Sequence, residues 1–81
     1  MSQVLHQPHQ HRFVINFEDN EAVLDYVMLD AKRIDFTHTF VPTALRGKGY
    51  AEKLVRTGLA WAREQEYEIL ASCWYVQKFL A

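Results

Sequence analysis

The chain has 81 residues, of which 49% are apolar, and nine basic side chains against ten acidic ones. This length provides for one small domain and no second lobe. The near balance of charge disfavours nucleic acid as a partner, because binding to a polyanion needs an excess of basic side chains. Cys73 is the only cysteine, so an internal disulfide is excluded and a reducing compartment is favoured. We therefore expect a cytoplasmic protein, as a monomer or weak dimer.

The first eleven residues are polar and contain His6, His9 and His11. Imidazoles at such short spacing are one arrangement that holds a metal ion, but no cysteine or carboxylate lies among them. A polar leader is the alternative, and no apolar run resembles a signal peptide or a membrane helix. The sequence thus predicts a flexible leader over residues 1–11, a single domain over residues 12–81, no metal site and no membrane association.

From Arg12 onward, apolar residues recur at every second position, which is typical of β-strands. Two antiparallel strands are predicted, Phe13–Phe17 and Leu24–Met28, with a polar turn between them. A third strand ends before Pro42, since proline cannot donate to a sheet ladder. Its alternation predicts one shared face for four side chains: Ile34, Phe36, His38 and Phe40.

A glycine-rich loop then leads into an amphipathic helix, predicted from Tyr50 to about Gln65. Gly58 costs this helix roughly 1 kcal/mol relative to alanine, which indicates a close approach between helix and sheet. A fourth strand follows over residues 68–73, parallel to the third through a right-handed crossover. A short terminal helix or irregular cap is predicted from Trp74. The fold class is therefore α+β: three antiparallel strands, a parallel β-α-β unit and a short C-terminal helix.

The loop Arg46–Ala51 is the most informative segment for function. Gly47 and Gly49 carry no side chain that blocks an anion, and the amides up to Ala51 converge at the positive end of the helix dipole. Arg46 and Lys48 add positive charge, although a solvated basic turn also explains Lys48. The loop lacks both the Gly-Lys-Ser/Thr ending of nucleoside triphosphatases and the Gly-x-Gly-x-x-Gly of dinucleotide folds. It is predicted to bind the diphosphate of another cofactor.

The loop resembles the acetyl-coenzyme A loop of the GNAT superfamily of N-acetyltransferases, whose signature is Arg/Gln-x-x-Gly-x-Gly/Ala. Arg46, Gly49 and Ala51 match this signature in order. The resemblance is closer still to compact single-module members of the superfamily and covers residues 13–80. The further shared motifs, in chain order, are His38-Thr39, Val41-Pro42, Leu54-Val55, Ala62-Arg63 and Cys73 to Tyr75.

This resemblance implies a minimal GNAT fold, in which the strand before the loop and the parallel strand after the helix splay apart and admit the pantetheine arm. It implies acetyl-coenzyme A as the acetyl donor, with no metal. The residues that it assigns to coenzyme A lie at the end of the third strand and in the loop: Phe40, Val41, Arg46, Gly47, Lys48, Gly49, Tyr50 and Ala51.

Two side chains near the implied gap are candidates for catalysis. A Cys73 thiolate is a strong nucleophile once a base removes its proton, and His38 is the candidate base. Each residue also has a purely structural explanation, as a buried histidine and as a small core cysteine. The sequence predicts an N-acetyltransferase that transfers acetyl to an unknown amine, either directly or through Cys73.

The alternative is a coenzyme A-binding module without transfer activity, or a subunit whose site a partner completes. The strands that usually wall the acceptor site have no counterpart in the sequence, and Tyr75 lies too early to match the general-acid tyrosine common in the superfamily. The unpaired edges of so small a sheet also favour a partner.

Overall fold

The computed structural model describes residues 3–80, in which α1 packs against one face of a five-stranded sheet in the order β1-β2-β3-β4-β5. The strands are β1 (Val4–Gln7), β2 (Arg12–Phe17), β3 (Asn20–Asp30), β4 (Arg33–Phe40) and β5 (Glu68–Ala71). The helices are α1 (Tyr50–Glu64) and α2 (Trp74–Gln77). Neighbouring strands from β1 to β4 are antiparallel, and β5 is parallel to β4. The predicted α+β class is confirmed. No helix within residues 3–80 has the length and apolar character that crossing a membrane requires.

The structure corrects the predicted leader over residues 1–11. Val4–Gln7 forms an edge strand antiparallel to β2, whereas residues 1 and 2 lie outside the described part of the chain, as does Ala81. His6 Nε2 lies 2.7 Å from the Tyr26 hydroxyl oxygen, and the His6 ring stacks on Phe13 with 4.2 Å between ring centroids. Burial lowers the pKa of His6. Because an inward position of this strand holds a polar histidine, the sequence does not show the apolar alternation that predicts a strand.

Two of the N-terminal histidines, His6 and His11, have rings that pack against Tyr26. His6 packs in an aromatic cluster, and the following 3₁₀ turn, Pro8–Gln10, carries His9. Within residues 3–80, no group of three or more histidine, cysteine, aspartate or glutamate side chains is placed to hold a metal ion. The role of His6 in this structure is to anchor β1 to the core.

A β-bulge interrupts β4 at Thr37. Tyr26 of β3 pairs with Phe36, and the preceding residue, Asp25, pairs with His38, so Thr37 is an extra residue on β4. The Thr37 hydroxyl donates to the Asp25 carbonyl at 3.4 Å, which fits this local irregularity. One extra residue reverses the alternation of side chains beyond it.

The bulge overturns the predicted shared face of β4. Ile34 and Phe36, before the bulge, are fully buried, whereas His38 and Phe40, beyond it, are exposed. The odd-numbered Thr39 is half-buried instead. His38 therefore does not lie beside Phe36 in the core, because the inserted residue turns its side chain to the other face of the sheet.

The close approach of helix and sheet at Gly58 is confirmed. A Cβ atom at this position would lie 2.9 Å from Leu24 Cδ2 and 3.1 Å from Phe36 Cε1. The core between α1 and the sheet is apolar, and its largest fully buried members are Phe13, Phe36, Ile15, Leu24, Ile34, Leu45 and Leu54. This contact fixes α1 against the middle of β3 and β4.

Candidate functional site

Strands β4 and β5 separate next to the bulge. Their last pair is Phe36 with Ala71, and the Cys73 amide still donates to the Phe36 carbonyl at 3.1 Å. Beyond this point β4 continues to Phe40, whereas the chain after β5 turns away into α2. Within residues 3–80, no strand lies beside this last part of β4 on its β5 side. The two parallel strands thus splay as the sequence resemblance implied.

Polar contacts hold the point where the strands separate. The Asp35 carboxylate accepts two hydrogen bonds from Ser72, at 2.8 Å from the amide and at 2.7 Å from the hydroxyl. Gln77 Nε2 donates to the Ala71 carbonyl at 2.8 Å and so ties α2 to the end of β5. Because these bonds fix both sides, the gap has a defined shape without a ligand.

The gap adjoins a second cleft at the glycine loop. A cleft of about 360 Å³ lies between the separated strands, and a second of about 240 Å³ lies against the glycine loop. Val41, Ala51 and Tyr75 line both clefts, so the two lie side by side, and together they are called the groove. At the strand end, the groove is also lined by Thr37, His38, Thr39, Ser72, Cys73 and Trp74.

The loop has the geometry that an anion cradle requires. Gly47 and Gly49 have φ angles of +79° and +78°, a conformation that other residues rarely adopt. No atom lies within 4 Å of the position of a Cβ at either glycine, so the space beside the loop is open. The first hydrogen bond of α1 runs from the Lys53 amide to the Gly49 carbonyl at 3.0 Å. The start of the helix therefore directs its positive end at the groove, which suits a diphosphate.

Arg46 joins the loop to the end of β4, since its Nε donates to the Val41 carbonyl at 3.0 Å. The Lys48 ammonium instead lies 5.9 Å from the centroid of the Phe17 ring. Among the described residues, the groove lining includes neither Lys48 nor Phe40. The other residues predicted to bind coenzyme A line the groove together: Val41, Arg46, Gly47, Gly49, Tyr50 and Ala51. Their role in binding stays a prediction.

Cys73 lies half-buried in the wall of the groove, with its Sγ atom 3.5 Å from Thr39 Oγ1. Burial raises the pKa of the thiol, but the hydrogen bond with Thr39 and the backbone amides of Val76, Tyr75 and Thr39 outweigh this effect, so the pKa is lower than usual. A lower pKa increases the fraction of nucleophilic thiolate. Thr39 belongs to the shared His38-Thr39 motif but was not predicted as a site residue.

His38 and Cys73 both line the strand end of the groove, but their side chains are not joined. His38 is exposed, and its partner across the sheet is Asp25. Among the side chains of residues 3–80, Cys73 is hydrogen-bonded to Thr39 rather than to His38. The role of His38 as a base stays a prediction, and its expected place in the core is wrong.

Tyr75 lines both parts of the groove, although it lies too early in the sequence to match the general-acid tyrosine of the superfamily. Burial raises the pKa of this phenol, and the negative charge of Glu52 acts in the same direction, against a smaller opposing effect of Arg56. The hydroxyl is therefore protonated at neutral pH. Only the packing of α2 against the groove reveals this placement.

A sheet that splays beside a glycine loop and a helix N-terminus is the arrangement that the sequence resemblance implied. Residues 12–81 match the family model of the GCN5-related N-acetyl-transferases, and the chain belongs to this family.

Relatives in this family are vertebrate and bacterial. Protein NATD1 of Gallus gallus is 32% identical over 80 residues, which cover 96% of this chain and 73% of that protein. Protein NATD1 of Xenopus tropicalis is 36% identical over 61 residues, 75% of this chain, and the match spans little more than half of that protein, 56%. The solution structure of a GCN5-like protein from Staphylococcus aureus has a TM-score of 0.73 and 29% identity, and the match covers 96% of this chain and 76% of that one.

We expect Thr39→Val to raise the pKa of Cys73, because valine keeps the shape of threonine but cannot donate to the thiolate. Since Cys73 is the only cysteine, the rate of its alkylation by iodoacetamide against pH reports this pKa directly. The midpoint is expected to move to higher pH. Thr37→Val is the matched control, because the Thr37 hydroxyl bonds to Asp25 instead. An equal shift in both variants would contradict the role of Thr39.

Proposed function

We propose that this protein is an N-acetyltransferase that takes acetyl from acetyl-coenzyme A and passes it to an amine through Cys73. The observation that carries the proposal is that a cleft at the glycine loop adjoins the cleft that contains the Cys73 thiol. Family membership supports acetyl transfer as the chemistry. The low pKa of Cys73 supports the thiolate as the group that accepts acetyl first.

Residues at different places along the groove have different roles in the proposed reaction. The amides from Gly47 to Ala51 bind the diphosphate, and the free side of β4 beyond Phe36 pairs with the pantetheine arm. The Cys73 thiolate attacks the acetyl carbonyl, so a new carbon–sulfur bond forms and the bond to the coenzyme A sulfur breaks. The acceptor amine then attacks acetyl-Cys73, the thiolate leaves, and the proton of the amine passes to His38 or to water.

Incubation with acetyl-coenzyme A, followed by intact-mass measurement, tests the covalent step. The wild-type chain is expected to gain one acetyl group, which Cys73→Ala lacks. Amine-dependent release of free coenzyme A is expected to fall roughly a thousandfold in Cys73→Ala, because the nucleophile is lost. Thr37→Val is the control for changes in the groove wall. An unmodified thiol together with full turnover in Cys73→Ala would show direct transfer to the amine.

Titration calorimetry separates catalysis from binding alone. Acetyl-coenzyme A and free coenzyme A are both expected to bind, and a panel of amines is then tested for release of free thiol. Binding without thiol release from any amine would overturn the enzymatic proposal in favour of a coenzyme A-binding module.

A further inference from the structure

Trp74 occupies an unusual place for a large aromatic residue. Its side chain is 70% exposed, the highest exposure among the large apolar residues of the described chain. It follows Cys73 directly and lines the groove together with Tyr75. A tryptophan so exposed contributes little to the core, and aromatic side chains at groove mouths commonly contact ligands.

Trp74 and Tyr75, here named the aromatic pair, already hold an ammonium group. The Lys78 Nζ atom lies 5.4 Å from the Trp74 ring centroid and 5.0 Å from the Tyr75 ring centroid. The two rings are 5.9 Å apart and nearly perpendicular, at 86°. Both Nζ distances fall within the range of about 6 Å in which the face of an aromatic ring attracts a cation. Lys78 follows the two rings by four and three residues, so the contact is local, and it shows that the ring faces are accessible to a primary alkylammonium.

Two acidic side chains near the groove are already engaged. Glu52 lines the loop part of the groove, and its carboxylate accepts from Arg56 at 2.7 Å. Asp35, near the strand end, accepts both hydrogen bonds from Ser72. The aromatic pair is a feature beside Cys73 that is suited to a cationic ligand.

We infer that the aromatic pair binds the ammonium group of the acceptor, and that Lys78 occupies this position until an acceptor displaces it. The acceptor is then an unhindered primary alkylamine, such as a lysine side chain or a diamine. The inference rests on the proposed N-acetyltransferase function. Lys78 competes with the acceptor for the aromatic pair and so acts as an intramolecular inhibitor.

In the transfer step, the acceptor loses two protons while an amide bond replaces the thioester bond. The bound ammonium loses one proton to His38 or water, and its nitrogen attacks the carbonyl carbon of acetyl-Cys73. The carbon–nitrogen bond of the amide forms, the carbon–sulfur bond breaks, and the electron pair of that bond leaves on the Cys73 thiolate. The nitrogen then releases its remaining extra proton to water.

Kinetics with pentane-1,5-diamine as the acceptor test both roles, because substitutions of Trp74 and of Lys78 are expected to shift the KM in opposite directions. Lys78→Met is expected to lower the KM for the diamine about two- to fivefold, and Trp74→Leu is expected to raise it by a similar factor, with kcat little changed. Lys32→Met removes the same charge from a distant exposed site and is expected to leave KM unchanged. Aniline, which is uncharged at neutral pH, is expected to respond to neither variant.

A binding measurement separates this inference from the proposed function. In NMR titrations with pentane-1,5-diamine, the indole N–H resonance of Trp74 is expected to shift, with a Kd two- to fivefold lower in Lys78→Met. The indole of Trp61, which packs against Phe13, serves as the internal control. A shifted Trp74 resonance without any acetyl transfer would refute the proposed function and leave the ammonium site standing. An unshifted resonance, or equal KM values in all variants, would overturn the inference.

Discussion

Gly49→Asp is expected to weaken coenzyme A binding about ten- to hundredfold relative to Gly49→Asn. The two side chains have the same size, and both tolerate a positive φ better than most residues. They differ in one negative charge, placed beside the amides that we propose bind the diphosphate. The measurement is titration calorimetry with coenzyme A at fixed ionic strength.

The salt dependence of this pair provides the internal control. The difference between the two variants is electrostatic, so it is expected to shrink as ionic strength rises. The aspartate variant is not expected to melt below the asparagine variant, since a negative charge at a helix N-terminus is stabilising. If aspartate and asparagine bound coenzyme A alike at low salt, the diphosphate would not lie at this loop.

Gly58→Val is expected to lower the free energy of unfolding by about 1–3 kcal/mol. The Cβ of any larger residue meets Leu24 at 2.9 Å and Phe36 at 3.1 Å, and the two methyl groups of valine extend further into the same space. Valine is a better helix former than glycine, so propensity alone predicts the opposite sign. Urea denaturation measures the change, and each kcal/mol corresponds to about 4–8 °C in Tm for a domain of this size.

Thr57→Val isolates the packing effect from the general effect of a branched side chain. Thr57 is the preceding residue of α1 and is exposed, so its substitution changes little in the core. It is expected to shift the free energy of unfolding by less than about 0.5 kcal/mol. A Gly58→Val variant as stable as the wild-type chain would mean that α1 does not press on the sheet at this point.

The sequence predicts the centre of the fold well, because strong local periodicities determine it. The helical stripe with glycines before it places α1 from Tyr50, and the structure ends the helix at Glu64, next to the predicted Gln65. Gly58 indicates the contact with the sheet, since a glycine inside a helix has a cost that close packing explains. The parallel crossover to β5 follows from connection rules alone.

The candidate site is less predictable, because it depends on one inserted residue and on a contact between distant segments. Thr37 forms a bulge without any change in composition, and the simple alternation therefore misplaces His38. If Thr37 is skipped, the alternation continues to Thr39, the residue that contacts Cys73. Edge strand β1 escapes prediction for a related reason, because its inward residue is His6.

The parallel pairing of β4 with β5 has a consequence for the order of folding. Strands β1 to β4 form a meander of neighbouring hairpins, whereas the β4–β5 pairing joins segments separated by the loop and the whole of α1. Contacts of such long sequence separation form late, because the chain must first close a large loop. The groove lies where this pairing ends, with residues of β4 on one side and the segment from Ser72 to Tyr75 on the other. The groove therefore depends on a contact that the formation of neighbouring hairpins does not supply, and a local detachment of β5 and α2 is expected to remove it.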